Sequence, residues 1–188
     1  AALQALETTF QQDLNGDGLT GPSVLESYGV TRLVRVGNNY GLQDGNGAGP
    51  TLTFQGVAVT AGQFGAWAPI GAEKIGSTYK VVLKYGSTDQ YVVWALDANG
   101  GYTGSVGGMV SGSDAALQAL ETTFQQDLNG DGQLGGPPTL ALTAASADKA
   151  EGSNGATAYT FTVTRSGNTS GASAVSYTHL TLPTILLV

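Results

Sequence analysis

STYKVVLKYGSTDQYVVWALDANGGY, residues 77–102, is the stretch that decides the fold. Tyr79, Val81, Leu83 and Tyr85 alternate with Lys80, Val82 and Lys84, and Val92, Trp94 and Leu96 alternate with Tyr91, Val93 and Ala95. Alternation at period two puts one set of side chains on each face of a pleated strand, so these are two strands, with the lysines marking a wet face. Residues 86–89 read as the hairpin loop between them, and Asn99-Gly100 as a tight turn after them.

Working outward, period two also appears at 30–36, where Val30, Arg32, Val34 and Val36 alternate with Thr31, Leu33 and Arg35. DGNGAGP at 44–50 is a turn cluster. Past the strands the period changes. AALQALETTFQQDLNGDG occurs at 115–132 and, without a difference, at 1–18. Leu117, Leu120 and Phe124 fall on one stripe of a helix, with Ser113 or Asp114 as N-cap; Leu3, Leu6 and Phe10 repeat the stripe. The glycines that follow are expected to end each helix. The expected class is therefore α+β: an antiparallel β-meander of short strands closed by one C-terminal helix and an EF-hand-like acidic loop.

Identical segments 114 positions apart indicate tandem domains, each long enough for its own core. The expected division is 1–21, the helix and acidic loop of a preceding repeat; 22–136, a complete repeat; 139–174, a short β fragment after a Gly-Gly-Pro-Pro linker; and 175–188. That last segment contains VSYTHLTLPT, which reads as one frame of the DNA adapters used to prepare sequencing libraries.

The composition narrows the function. Fourteen acidic residues against seven basic give a net charge of −7, unsuited to nucleic acid or an anionic membrane and suited to divalent cations. No apolar run is long enough to span a bilayer. Cysteine is absent, and the single histidine, His179, lies in the adapter-like tail. Without His or Cys, the common nucleophile–base pairs and zinc sites are missing, so no enzyme is expected. Glu26, Glu73 and Asp89 are scattered among turns with no glycosidase-like spacing.

The acidic loop is the candidate site. An EF-hand-type loop offers oxygens at positions 1, 3, 5, 7, 9 and 12, with glycine at 6. Asp13, Asn15 and Asp17 fill the first three positions, Gly18 the sixth, and the Leu19 carbonyl the seventh; Asp127, Asn129, Asp131, Gly132 and the Gln133 carbonyl repeat the set. Position 12 falls on Val24 or Pro138, so the bidentate carboxylate is missing; Glu26 is the nearest acid in the first copy, and the second has none before Asp148. Calcium is the expected cofactor, held weakly, against the plainer reading of a metal-free helix end and turn. Asp97 and Asn99 read as turn residues more than as a second oxygen site. Trp67, Trp94, Tyr79, Tyr85 and Tyr91 read mainly as packing, with a sugar-stacking platform as the alternative.

Two resemblances extend this reading. VLESYGVTRLVRVGNNYGL, VTAGQFGAWAPIGAEKIGSTYKVVLKY, DQYVVWALDANGGY and LQALETTFQQDLNGDG, with Trp67 and Trp94, resemble the tryptophan-rich C-terminal domain family named for Synechocystis proteins. That resemblance implies non-catalytic tandem modules in large secreted or cell-surface bacterial proteins, with neighbouring repeats as partners; surface glycans are the partner under the alternative reading of the aromatics, a carbohydrate-binding module of an extracellular enzyme. ADKAEGSNGATAYTFTVTRSGNTSGASAV resembles the opening of a Calx-β domain and implies a calcium-associated role for Glu151.

Overall fold

The computed structural model describes residues 2–14, 16, 18, 20–146, 158–167 and 172–174. Its contacts divide the chain into two compact units, Ala1–Gly136 and Pro137–Val188. Glu151, His179 and the segment 175–188 lie outside the described residues.

The first unit runs α1 (Ala2–Phe10), β1 (Ser23–Glu26), β2 (Arg32–Val36), β3 (Asn39–Gln43), β4 (Thr53–Phe54), β5 (Val57–Ala58), β6 (Trp67–Ile75), β7 (Thr78–Tyr85), β8 (Tyr91–Leu96), β9 (Tyr102–Ser105) and α2 (Ala115–Phe124). Within the sheets pairing is antiparallel, in a three-stranded sheet β1-β2-β3, a two-stranded β4-β5 and a four-stranded sheet β6-β7-β8-β9; one isolated parallel bridge joins Thr53 to Gly101.

The 79–96 region follows the alternation. Tyr79, Val81 and Leu83 of β7 and Trp94 and Leu96 of β8 enter the main core, where they meet Leu33, Tyr40 and Leu42 from the three-stranded sheet, with Leu52 and Val59. Strands thus cover strands. The hairpin closes where expected, with Tyr85 N–H donating to the Gln90 carbonyl at 3.0 Å.

Two expectations are corrected here. The class is largely all-β, not α+β: the strands form several antiparallel sheets that cover one another, and among the described residues no helix closes them. The physical reason is size. A ten-residue helix presents one stripe, enough to sit on part of one face but not to cap a meander. The face marked by Lys80 and Lys84 is also not simply wet. Val82, between them, is fully buried and packs with Tyr91, Val93, Leu117, Phe124 and Leu128, so α2 lies on that face.

The start of α2 is Asp114, in extended backbone, whose carboxylate accepts from Ala116 N–H at 2.8 Å. Its end differs from expectation. Gln125, not a glycine, turns the chain at φ 52°, and Gln11 does the same after α1 at φ 50°. Among the described residues no helix is long and apolar enough to cross a membrane.

In the second unit, β10 (Thr139–Ser146) pairs antiparallel with β11 (Thr160–Ser166). Leu142, Phe161 and Val163 on this ribbon are exposed.

Candidate functional site

The acidic loop after α2 is held from inside by a buried carboxylate. Glu121 is fully buried, and its Oε1 accepts from Leu128 N–H (3.1 Å) and Asn129 N–H (3.2 Å) while Oε2 accepts from Gly135 N–H (2.8 Å). A buried carboxylate is tolerated when several backbone donors replace its hydration. This one ties both ends of the loop to the helix.

Within the loop Asp127 makes the curl. Its Oδ1 accepts from Gly130 N–H (2.7 Å) and Asp131 N–H (3.1 Å), and its Oδ2 from Gly132 N–H (2.7 Å). Asn129 Oδ1 accepts from Asp131 N–H at 2.8 Å, and its Nδ2 donates to the Gly112 carbonyl (2.8 Å) and to Asp131 Oδ2 (3.1 Å). Asp131 Oδ1 accepts from Gln133 N–H at 2.8 Å. Asp127 and Asn129 are half-buried; Asp131 and Gln133 are exposed. The hydrogen bonds therefore bring Asp127, Asn129 and Asp131 together, and Gln133 follows through its backbone. Among the described residues, no three His, Cys, Asp or Glu side chains are grouped so as to hold a metal.

In the first copy Asn15, Asp17 and Leu19 lie outside the described residues. Asp13 is described and repeats the Asp127 pattern, accepting from Gly16 N–H at 2.6 Å and Gly18 N–H at 2.8 Å.

Asp89 belongs beside the second loop, which its place in a hairpin did not signal. Its Oδ1 accepts from Gly112 N–H at 2.8 Å. With Asn129 and Asp131 it lines a shallow hollow of about 240 Å³. Asp97, by contrast, is a turn residue, accepting from Asn99 N–H and Gly101 N–H at 2.8 Å each.

Glu26 and Glu73, far apart in sequence and read as scattered, are both buried and close enough to repel. Glu26 accepts from Tyr28 N–H and Ala72 N–H, and Glu73 from the N–H groups of Val30 and Lys74 and from the Thr31 hydroxyl. These bonds stitch β1 and the turn after it to β6. Burial, reinforced by the neighbouring carboxylate, pushes Glu26 up to about 7, and burial raises Glu73 as well.

A raised acid pKa favours the protonated native state. Stability is therefore full below the unfolded-state value near 4.5 and is lost as pH rises through about 7. The unit is expected to be more stable at pH 5 than at pH 8 by about 2 kcal/mol from this group, after allowance for solvent screening, and so to melt at a higher temperature. Melting curves of Glu26→Gln check this: the slope between those pH values should flatten, and an unchanged slope rules the cause out.

The tryptophans are packing residues. Trp94 is only 7% exposed and stacks edge-on or tilted against Phe54, Phe64 and Tyr102 at 4.8–5.7 Å. Trp67 meets Tyr85 edge-on at 5.2 Å and 62°. Sugar stacking needs ring faces open to solvent, and Trp94 offers none.

What these features define is a small antiparallel β-domain with one short helix and an acidic loop beside it. Residues 31–135, more than half of the chain, match the family model of the Tryptophan-rich Synechocystis species C-terminal domain, and the chain belongs to that family. No curated protein and no solved structure matches the chain.

Proposed function

We propose that the unit is a non-catalytic repeat module of a large secreted or cell-surface bacterial protein, with calcium ordering its acidic loop. The observation that carries this reading is electrostatic. Asp127 lies three residues beyond the end of α2, where the helix carries partial negative charge, and no basic residue stands in the last turn. Three backbone amides offset part of this repulsion at Asp127, and a cation would offset the rest.

The donor set suits the ion. All the ligating atoms the loop offers are oxygens, the preference of a hard cation, and a carboxylate oxygen that accepts one amide, as Asp127 Oδ2 does, keeps a second lone pair. Asp127, Asn129, Asp131 and the Gln133 carbonyl would hold the ion, with Asp89 adding a carboxylate that the missing twelfth position denies. Bound calcium would supply charge neutralisation only. The first loop, with Asp13, Asn15, Asp17 and the Leu19 carbonyl, is read the same way.

Ordering both loops would stiffen the joints between neighbouring repeats. Affinity in the range of roughly 10⁻⁴–10⁻³ M of extracellular modules would suit a loop that lacks the twelfth-position carboxylate, and would suit an exported protein. Residues 139–174 are read as the opening of a Calx-β-like sandwich; the antiparallel β10–β11 ribbon supports this.

Binding to the native state alone stabilises by mass action. With a dissociation constant near 1 mM, about 10 mM calcium adds roughly 1.4 kcal/mol. That raises the melting temperature by about 5 °C for a domain of this size. Asp127→Asn with Asp131→Asn should abolish the rise. A melting temperature indifferent to calcium, or a rise that survives both substitutions, counts against the proposal.

A further inference from the structure

Apart from the ladder between β1 and β2, segment 23–30 joins the first unit through polar groups. Neither hydrophobic cluster takes a residue from it, and Tyr28 and Val30 are 58% and 67% exposed. Its hold on β6 is the buried pair Glu26 and Glu73 with Thr31 beside them. Glu26 Oε2 accepts from Ala72 N–H at 3.3 Å, Glu73 Oε2 accepts from Val30 N–H at 3.1 Å, and the Thr31 hydroxyl accepts from Lys74 N–H at 2.9 Å. Gly29, at φ 67°, lies so close that a Cβ there would overlap the Glu73 carboxylate and come within 3.3 Å of the Phe124 carbonyl oxygen at the end of α2. The charged groups on the elements around the pair are engaged elsewhere. Lys74 holds its ammonium 5.6 Å from the Tyr79 ring, and Arg35 of β2 bonds the Gly37 carbonyl and Asn38. Arg32 of β2 stands opposite Gln43 in the β2–β3 ladder, and Glu121 of α2 is taken up by the loop amides. The neighbouring charge that Glu26 meets is that of Glu73.

We infer that Glu26 and Glu73 form a pH-operated latch, which holds segment 23–31 on β6 in acid and releases it in alkali while the two hydrophobic clusters stay closed. With both carboxylates charged, the buried site combines lost hydration with like-charge repulsion. Freeing the segment is the smallest movement that returns both groups to water, because no residue of either cluster has to leave. The range in which the latch works is set by Glu26, which burial pushes up to about 7. Since β1 follows a few residues after the first acidic loop, its release lengthens the free chain between that loop and the sheets. The latch does not depend on a cation in either loop.

Hydrogen exchange of the unaltered full chain at pH 5 and pH 8 tests this, in excess chelator and with rates corrected for the intrinsic effect of pH. The amides of Val30, Ala72 and Lys74 should lose about thirtyfold in protection between the two, after allowance for solvent screening. Their exchange should be indifferent to low urea, as local opening is. Val82 and Val93 in the core should be more protected and should respond to urea as global unfolding does. Glu26→Gln or Glu73→Gln alone should shrink the pH effect, and the two together should abolish it; where the double variant does not fold, the single ones decide. Val30 and Ala72 amides that share the protection and urea response of Val82 and Val93 overturn the inference, since the segment would then leave only with the whole unit. So does protection that is equal at both pH values, or a loss that survives the substitutions.

Discussion

Glu121→Ala lowers the stability of the first unit by about 3 kcal/mol, while Glu7→Ala, the same change in the same sequence, costs no more than about 0.5 kcal/mol. The expected contrast comes from context. Removing the Glu121 carboxylate strands the N–H groups of Leu128, Asn129 and Gly135, two of which lie in buried residues. Each unmet buried donor costs about 1–3 kcal/mol, and water can reach the half-buried Asn129, which keeps the total near the lower end. Glu7 also holds its loop, through Leu14 N–H. Yet α1 leaves Leu3 and Phe10 exposed, so loosening it does not open the sheet core. Urea unfolding followed by tryptophan fluorescence measures both. Equal losses would mean that α1 is as integral to the core as α2.

The second large effect is expected at Trp94. Trp94→Ala should cost about 4 kcal/mol, because it empties the middle of the aromatic cluster and leaves Phe54, Phe64 and Tyr102 without their common neighbour. Trp67→Ala should cost about half as much, since Trp67 is half-buried and its ring contact is with the partly exposed Tyr85. Chemical denaturation monitored by far-ultraviolet circular dichroism ranks the two. The reverse order would move the centre of the core away from the face shared by β7 and β8.

These effects follow partly from what could be read along the chain. The strands at 78–85 and 91–96 and their hairpin were legible because alternation is a local signal. The Asp97 turn and the Asp114 cap were legible too, since each side chain bonds backbone two residues away. The covering of each face was not. Val82 sits between lysines that suggest solvent, and only the return of the chain 35 positions later buries it under Leu117. The partition into separate sheets was hidden for the same reason, and with it the largely all-β class. Glu26 and Glu73 meet across 47 positions, and Asp89 reaches the acidic loop across 40, distances over which sequence spacing says nothing. Gln125 in the left-handed region contradicts the usual glycine, and tertiary packing of the loop on Glu121 overrides the local preference.

The claim on which the functional account depends is that a cation enters the loop that Asp127 curls. The backbone amides of Gly130 and Gly132 report on it directly, because each donates to that carboxylate. In a calcium titration of the full chain followed by amide resonances, both should shift together and saturate in the millimolar range, with amides of the four-stranded sheet unmoved. Resonances of Gly130 and Gly132 that stay in place while calcium passes well beyond that range would contradict the account.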